Sequence, residues 1–205
     1  MDSWDKVLIL SPHTDDAELH MGGTIARMRM EGKEIHHAVF SICKASVPEG
    51  FPEDLLMQEC GHSNAVFGIQ PPHLKIFDYD VRHFPMHRQA ILEKIVCLRK
   101  TLEPDVIFIP SSCHIHQDHE VIHQEGIRAF LRHATILGYG SNDPDMLQEI
   151  TPGQLGKKVE ALSKYESQQF RPQFGEGMPE HIARVKGLFA GRLLAEAFEV
   201  IRMVV

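Results

Sequence analysis

Short β-branched apolar runs alternate along this chain with stretches whose apolar positions recur at helical spacing. Residues 6–11 read as a first strand, and the stretch through Ile25, Ala26, Met28 and Arg29, following Gly22-Gly23, reads as a helix stopped at Gly32. Residues 34–42 form a second predicted strand. The segment 43–52, with its two prolines and a glycine, is a predicted loop, and 53–67 a helix ended by Gly68. A third strand is expected over 73–79. Pro85 suits the first turn of a helix running to Leu102, where a missing N–H costs nothing, and Val106-Ile107-Phe108-Ile109 is the clearest buried strand. A helix over 118–133, a strand over 135–139, a turn-rich connection over 140–153, helical stretches over 155–169 and 179–197, and a closing apolar run over 198–205 complete the pattern. Such alternation implies βαβ crossovers and a mainly parallel sheet covered on both faces.

Composition narrows the function classes. With 205 residues and 43% hydrophobic content the chain can bury one sizeable core and reads as a single domain over 1–205. The 21 basic and 28 acidic residues give −7, which argues against a duplex-binding surface, so no nucleic-acid partner is expected. No stretch is long and apolar enough for a membrane span, and Met1-Asp2-Ser3-Trp4-Asp5 lacks the basic and apolar regions of a signal peptide, which makes a cytoplasmic location the expectation. The spacing of Cys43, Cys60, Cys97 and Cys113 suggests neither a disulfide framework nor a four-cysteine zinc site. The 14 histidines are the anomaly, and only those clustered at a strand end point to chemistry.

Two clusters do so. Ser11-Pro12-His13-Thr14-Asp15-Asp16-Ala17-Glu18 follows the first strand, and Cys113-His114-Ile115-His116-Gln117-Asp118-His119 follows Val106 to Ile109. Both fall at carboxyl ends of predicted parallel strands, the edge where α/β proteins build active sites. A divalent metal could take His13 and one aspartate as ligands while the adjacent aspartate accepts a proton from bound water, which makes hydrolysis the leading idea.

The residues also carry a family resemblance. Pro12-His13-Thr14-Asp15-Asp16-Ala17-Glu18 with Gly22-Gly23-Thr24 resembles the Pro-His-Pro-Asp-Asp-x-Glu signature of the PIG-L/LmbE-like zinc-dependent N-deacetylases. His116-Gln117-Asp118-His119 resembles that family's His-x-Asp-His motif, Tyr165-Glu166-Ser167-Gln168 its downstream Tyr-x-Ser-Gln segment, and Ala195-Glu196-Ala197-Phe198-Glu199 its C-terminal stretch. The resemblance implies His13, Asp16 and His119 as metal ligands and Asp15 as the general base. It implies His116 as the group that stabilises the oxyanion or protonates the leaving amine, with Asp118 orienting it. It further implies a zinc cofactor, although two histidines and a carboxylate could also hold iron, cobalt or nickel, and a substrate that is an N-acetylated amino sugar or its conjugate. With the alternation of elements, it gives the fold expectation: α/β, a Rossmann-like three-layer arrangement around a mainly parallel sheet.

Other readings of the same residues stand beside this one. Asp15-Asp16 could cap the following helix, and His116 and His119 could be ordinary loop and helix-start histidines. Gly22-Gly23 reads as a tight turn allowing close helix packing. His119-Glu120-Val121-Ile122-His123 fits the helical His-Glu-x-x-His pattern of zinc peptidases, which would leave the first cluster unexplained. A non-catalytic metal- or sugar-binding relative is a third function class. Departures from the family bear on substrate: Thr14 stands for a proline, Leu56 stands where an arginine often precedes the glutamate at Glu59, and 140–153 looks short. Arg82 and Arg88 are the candidates for gripping a phosphate or sugar oxygen instead. The short connection implies an open pocket, or one completed by a neighbouring subunit in a homo-oligomer.

Overall fold

Val7 and Ile9 of the first strand point to one side and Leu8 and Leu10 to the other, and all four are fully buried, as a strand at the centre of a covered sheet requires. The computed structural model of the protein describes residues 4–204; Met1 to Ser3 of the expected leaderless start, and Val205 of the closing apolar run, lie outside the described residues. In chain order the elements are β1 (Lys6–Ser11), α1 (Asp16–Met30), β2 (Glu34–Val39), α2 (Leu55–Val66), β3 (Leu74–Ile76), α3 (Arg88–Leu102) and β4 (Val106–Pro110). They continue with α4 (Gln117–Phe130), β5 (Thr135–Tyr139), β6 (Met146–Glu149), α5 (Pro152–Leu162), α6 (Met178–Ala190) and β7 (Ala195–Arg202).

The sheet order is β3-β2-β1-β4-β5-β7-β6. β3, β2, β1, β4 and β5 pair in parallel, while β7 runs antiparallel to both β5 and β6. Helices α1 and α2 pack with α5 on one face, and α3 and α4 pack together on the other, giving three layers. The α/β, mainly parallel architecture expected from the alternation is therefore the one observed.

The differences have local causes. Helix α1 starts at Asp16, so Gly22-Gly23 lie inside it and not in a turn before it; the backbone departs from helical angles only at Met21. Close packing is nonetheless their role, since a Cβ at position 23 would lie 2.6 Å from Ile150 Cδ1. The turn-rich connection holds β6, too short for its alternation to stand out. The helix expected to reach residue 197 stops at Ala190, where Gly191 takes a left-handed conformation (φ 61°) and the chain turns into β7. No helix of the described residues is long and apolar enough to cross a membrane.

Candidate active site

Strand order reverses between β1 and β4, so the loops leaving these two strands flank a crevice at the carboxyl edge of the sheet. They carry the two clusters. Asp15 occupies the N-cap position of α1, yet its side chain caps nothing, and Asp16 Oδ2 instead accepts the backbone N–H of His13 at 2.8 Å. Helix capping therefore does not account for the two carboxylates. His116 does cap its helix: its Nδ1 accepts the N–H of Asp118 at 3.2 Å, which leaves Nε2 to carry the proton of the neutral ring.

Three side chains converge beside the crevice. His13 Nδ1 lies 3.5 Å from Asp16 Oδ2 and 3.2 Å from His119 Nε2, and His119 Nε2 lies 3.4 Å from Asp16 Oδ1. A tetrahedral ion with bonds of about 2.1 Å holds its ligands about 3.4 Å apart, so this set fits a divalent transition metal. His116 brings a third imidazole within 4.8 Å of the other two, but its Nδ1 is engaged with the helix, and Asp16 is the tighter partner.

The outer nitrogens are held in turn. His13 Nε2 is 3.1 Å from Asp118 Oδ2, and Asp118, fully buried, also accepts the backbone N–H groups of Arg82 (2.6 Å) and Phe84 (3.3 Å). This corrects the expectation that the Asp118 carboxylate orients His116, a ring that Asp118 reaches only through its backbone N–H. Its carboxylate is drawn to donors on the β1 loop and the 82–84 segment, and the nearest ring contact with His116 is 3.9 Å. His119 Nδ1 faces His114 Nδ1 at 2.7 Å, and His114 Nε2 lies 3.3 Å from the Gly140 carbonyl. Gly140 has φ 73°, and a Cβ there would come within 2.6 Å of His114, so glycine is what lets the two approach.

Charges in the site are biased by burial and by one another. Burial, then the Asp16 carboxylate, push Asp15 above the ordinary carboxylate range, against the pull of Arg171 and His13. Burial works to raise Asp16 as well, but His119 and His13 hold it below that range. Burial pushes His119 down to about 4, and burial with the neighbouring His13 lowers His116. A neutral His119 beside an ionised Asp16 is the state that metal binding requires, whereas His13, although burial works to lower it, is raised by its bond to Asp118 and by the Asp16 and Asp15 charges, so metal binding there would displace a proton.

Beneath the loop lies a buried polar network. Glu18 Oε1 is within 3.1 Å of Ser63 Oγ, Asn64 Nδ2 and Tyr165 Oη, and Tyr165 also donates to the carbonyl of Thr14. Asn64 Oδ1 contacts His37 Nδ1 at 2.8 Å, and His37 Nε2 contacts Ser11 Oγ at 2.8 Å. Lys158 and Glu196 form a buried ion pair at 2.7 Å, and Glu196 accepts the N–H groups of Gly23 and Thr24 as well.

The crevice opens into a cavity of about 900 Å³. His13, Asp15, Asp16, His116, His119 and Arg82 line it, while Asp118 lies behind His13. Arg88 does not reach it, contrary to expectation: at the start of α3 its guanidinium is taken by the buried Glu125 of α4 at 2.8 Å and does not face the cavity. His123 bonds the Pro110 carbonyl at 2.8 Å and lines a separate surface hollow with Glu120, so the helical His-Glu-x-x-His set does not converge. Leu56 lines the cavity, and Glu59 holds the N–H and hydroxyl of Ser167. Sequence reasoning missed Arg171, whose Nη1 donates to Asp15 Oδ2 at 2.7 Å, and His114. Arg171 stands three residues after Tyr165-Glu166-Ser167-Gln168, and that proximity was its only signal.

Residues 8–130 match the sequence profile of one family, PIG-L: GlcNAc-PI de-N-acetylase. The chain belongs to the PIG-L family. Several solved structures share its fold. The N,N'-diacetylchitobiose deacetylase of Pyrococcus horikoshii superposes with a TM-score of 0.83 at 22% identity, over 98% of this chain and 85% of that one. GalB, the 4-carboxy-2-hydroxymuconate hydratase of Pseudomonas putida KT2440, gives 0.80 at 16% identity over 98% of each chain. The zinc-inhibited form of teicoplanin deacetylase Orf2 gives 0.75 at 13% identity, over 94% of this chain and 96% of that one. At such identities the likeness establishes the fold. The PIG-L match spans both metal-type clusters and stops short of Lys158, Arg171 and Glu196.

Proposed function

We propose that this PIG-L chain is a metal-dependent N-deacetylase that hydrolyses the acetamido group of an N-acetylated amino sugar or its conjugate, with 1–205 working as a single domain. The observation that carries the proposal is the convergence of His13, Asp16 and His119 at metal-ligand spacing, with Asp15 beside them in the same cavity. Family membership and the deacetylase activity of the chitobiose and teicoplanin proteins support the substrate class.

His13, Asp16 and His119 would hold the ion, zinc by the chemistry of the set, and Asp118 and His114 fix the two rings so that the inner nitrogens face it. The bound ion supplies Lewis acidity toward water and the amide carbonyl. Asp15, raised above the usual carboxylate range, takes the proton of the attacking water. Arg171 keeps the Asp15 carboxylate in place. His116, with its Nδ1 tied to the helix, offers Nε2–H as a hydrogen bond to the developing oxyanion, and the proton that Asp15 accepted from water passes to the departing nitrogen. Arg82 lines the same cavity and is a cation available to a phosphate or sugar oxygen.

The hydratase among proteins of this fold is the reason to test the reaction and not the fold alone. Metal-stripped protein, restored with Zn2+, should release free amine from N-acetylglucosamine derivatives and should fail to do so without metal. Hydration of an unsaturated hydroxy acid, with no amine released from any acetamido sugar, would overturn the proposal.

A further inference from the structure

Among the histidines outside the cavity, two stand together at the other end of the sheet. Glu34 and His36 are two residues apart on β2 and so share a face, opposite the face on which His37 bonds Ser11 and Asn64. His73 directly precedes β3, whose Leu74 pairs in parallel with His37, and this register brings the rings of His36 and His73 to 4.6 Å between centroids. One donor atom from each of Glu34, His36 and His73 lies within 4.8 Å of the others. Glu34 Oε1 is 2.6 Å from His36 Nε2, while His73 Nδ1 is buried and has no hydrogen-bond partner among the described residues.

Cross-strand neighbours that offer two imidazoles and a carboxylate suit zinc, nickel or copper, and not the hard cations, which prefer all-oxygen sites. The Glu34 side chain is 47% exposed, so its carboxylate is free to swing to ligand distance while the His36 ring stays mostly covered. A ring nitrogen buried without a partner is unfavourable until something pairs with it. We infer that Glu34, His36 and His73 bind a second divalent transition-metal ion, at the amino edge of the sheet. Lys6 lies opposite Glu34 in the β1–β2 register, and the His13 loop begins only after Ser11, so the length of β1, roughly 15 Å, separates the two centres.

Bound there, the ion clamps the three-residue edge strand β3 to β2. The chain leaving β3 runs to residues 82–84, whose N–H groups hold Asp118. An ion that binds only the native state raises stability in proportion to its occupancy.

The test is equilibrium dialysis of the full-length, metal-stripped protein against Zn2+, with metal counted per chain. The variant carrying His36→Ala and His73→Ala should bind one equivalent fewer than the wild type, whatever the His13 centre binds. Its thermal midpoint should also lose part of the rise that Zn2+ gives the wild type. A second variant, His13→Ala with His119→Ala, should keep the equivalent that the first one loses. Equal stoichiometry in the wild type and in the His36→Ala, His73→Ala variant overturns the inference, and because the readout is a difference in metal count it is separable from any failure of the deacetylase reading.

Discussion

The two faces of the sheet are built differently. The face under α3 and α4 is packed mainly with apolar side chains, such as Leu8, Leu10, Ile95, Leu98, Ile107, Ile109 and Phe130, with the buried carboxylates of Asp118 and Glu125 carried on α4. The face under α1, α2 and α5 has an apolar cluster of its own, yet threads through it Glu18, His37, Ser63, Asn64, Lys158 and Glu196, all buried. Buried polar groups are unfavourable unless paired, and here nearly all are paired to one another or to backbone beneath the β1 loop. The lesson is that one face supplies cohesion while the other spends buried polarity to hold a loop in one shape.

Experiments can break or sharpen that contrast. The largest expected effect is Asp15→Asn, which should lower the deacetylation rate roughly 100- to 10,000-fold while leaving Zn2+ content intact, as read by amine release and metal analysis. Lys158→Met strands the Glu196 carboxylate in the interior and should destabilise the protein by about 3–5 kcal/mol in urea unfolding. Ile95→Ala, on the apolar face, should lose about 2–5 kcal/mol, with zinc affinity and the rate per folded molecule unchanged. An equal loss of metal affinity from Ile95→Ala would erase the division between the faces. His114→Ala should weaken zinc binding by about 10- to 100-fold in a competition titration with a chelator, with little change in the thermal midpoint of the metal-free protein.

A further prediction concerns acidity. Burial pushes Glu18 up to about 8 from 4.5, so the folded chain keeps a proton that the unfolded chain releases. Its contribution to stability is complete below about pH 4.5 and is lost as pH rises through about 8. Glu18→Gln mimics the protonated form. It should flatten the fall of stability with pH across that window, and unchanged steepness in unfolding curves taken from pH 5 to 8 would count against a protonated Glu18.

Much of this architecture was legible in the sequence because its signals are local. Val106 to Ile109 is an unbroken apolar run, and the two clusters sit directly after strands, so both the sheet and the convergence of the clusters could be read from position, while the choice of Asp16 and His119 to join His13 came from the family resemblance. What escaped depends on contacts between distant parts of the chain. Arg171 reaches Asp15 across 156 residues, and Asp118 turns to His13 because two backbone N–H groups from the 82–84 segment help to fix it there. Nor does the pattern around Arg88 show that Glu125, 37 residues later, will claim it.

The antiparallel strand β7 has a bearing on how the protein is made. Its Glu196 is the acceptor for the Gly23 and Thr24 amides, on the helix that begins with the Asp16 motif. On the ribosome, those amides must wait for the 172 or 173 residues that separate them from Glu196 before they find their partner. Until then the Lys158 ammonium also lacks its counter-charge. The nascent protein can therefore collapse around β1 and β4 early, but it completes the support beneath its site only once β7 has joined the sheet.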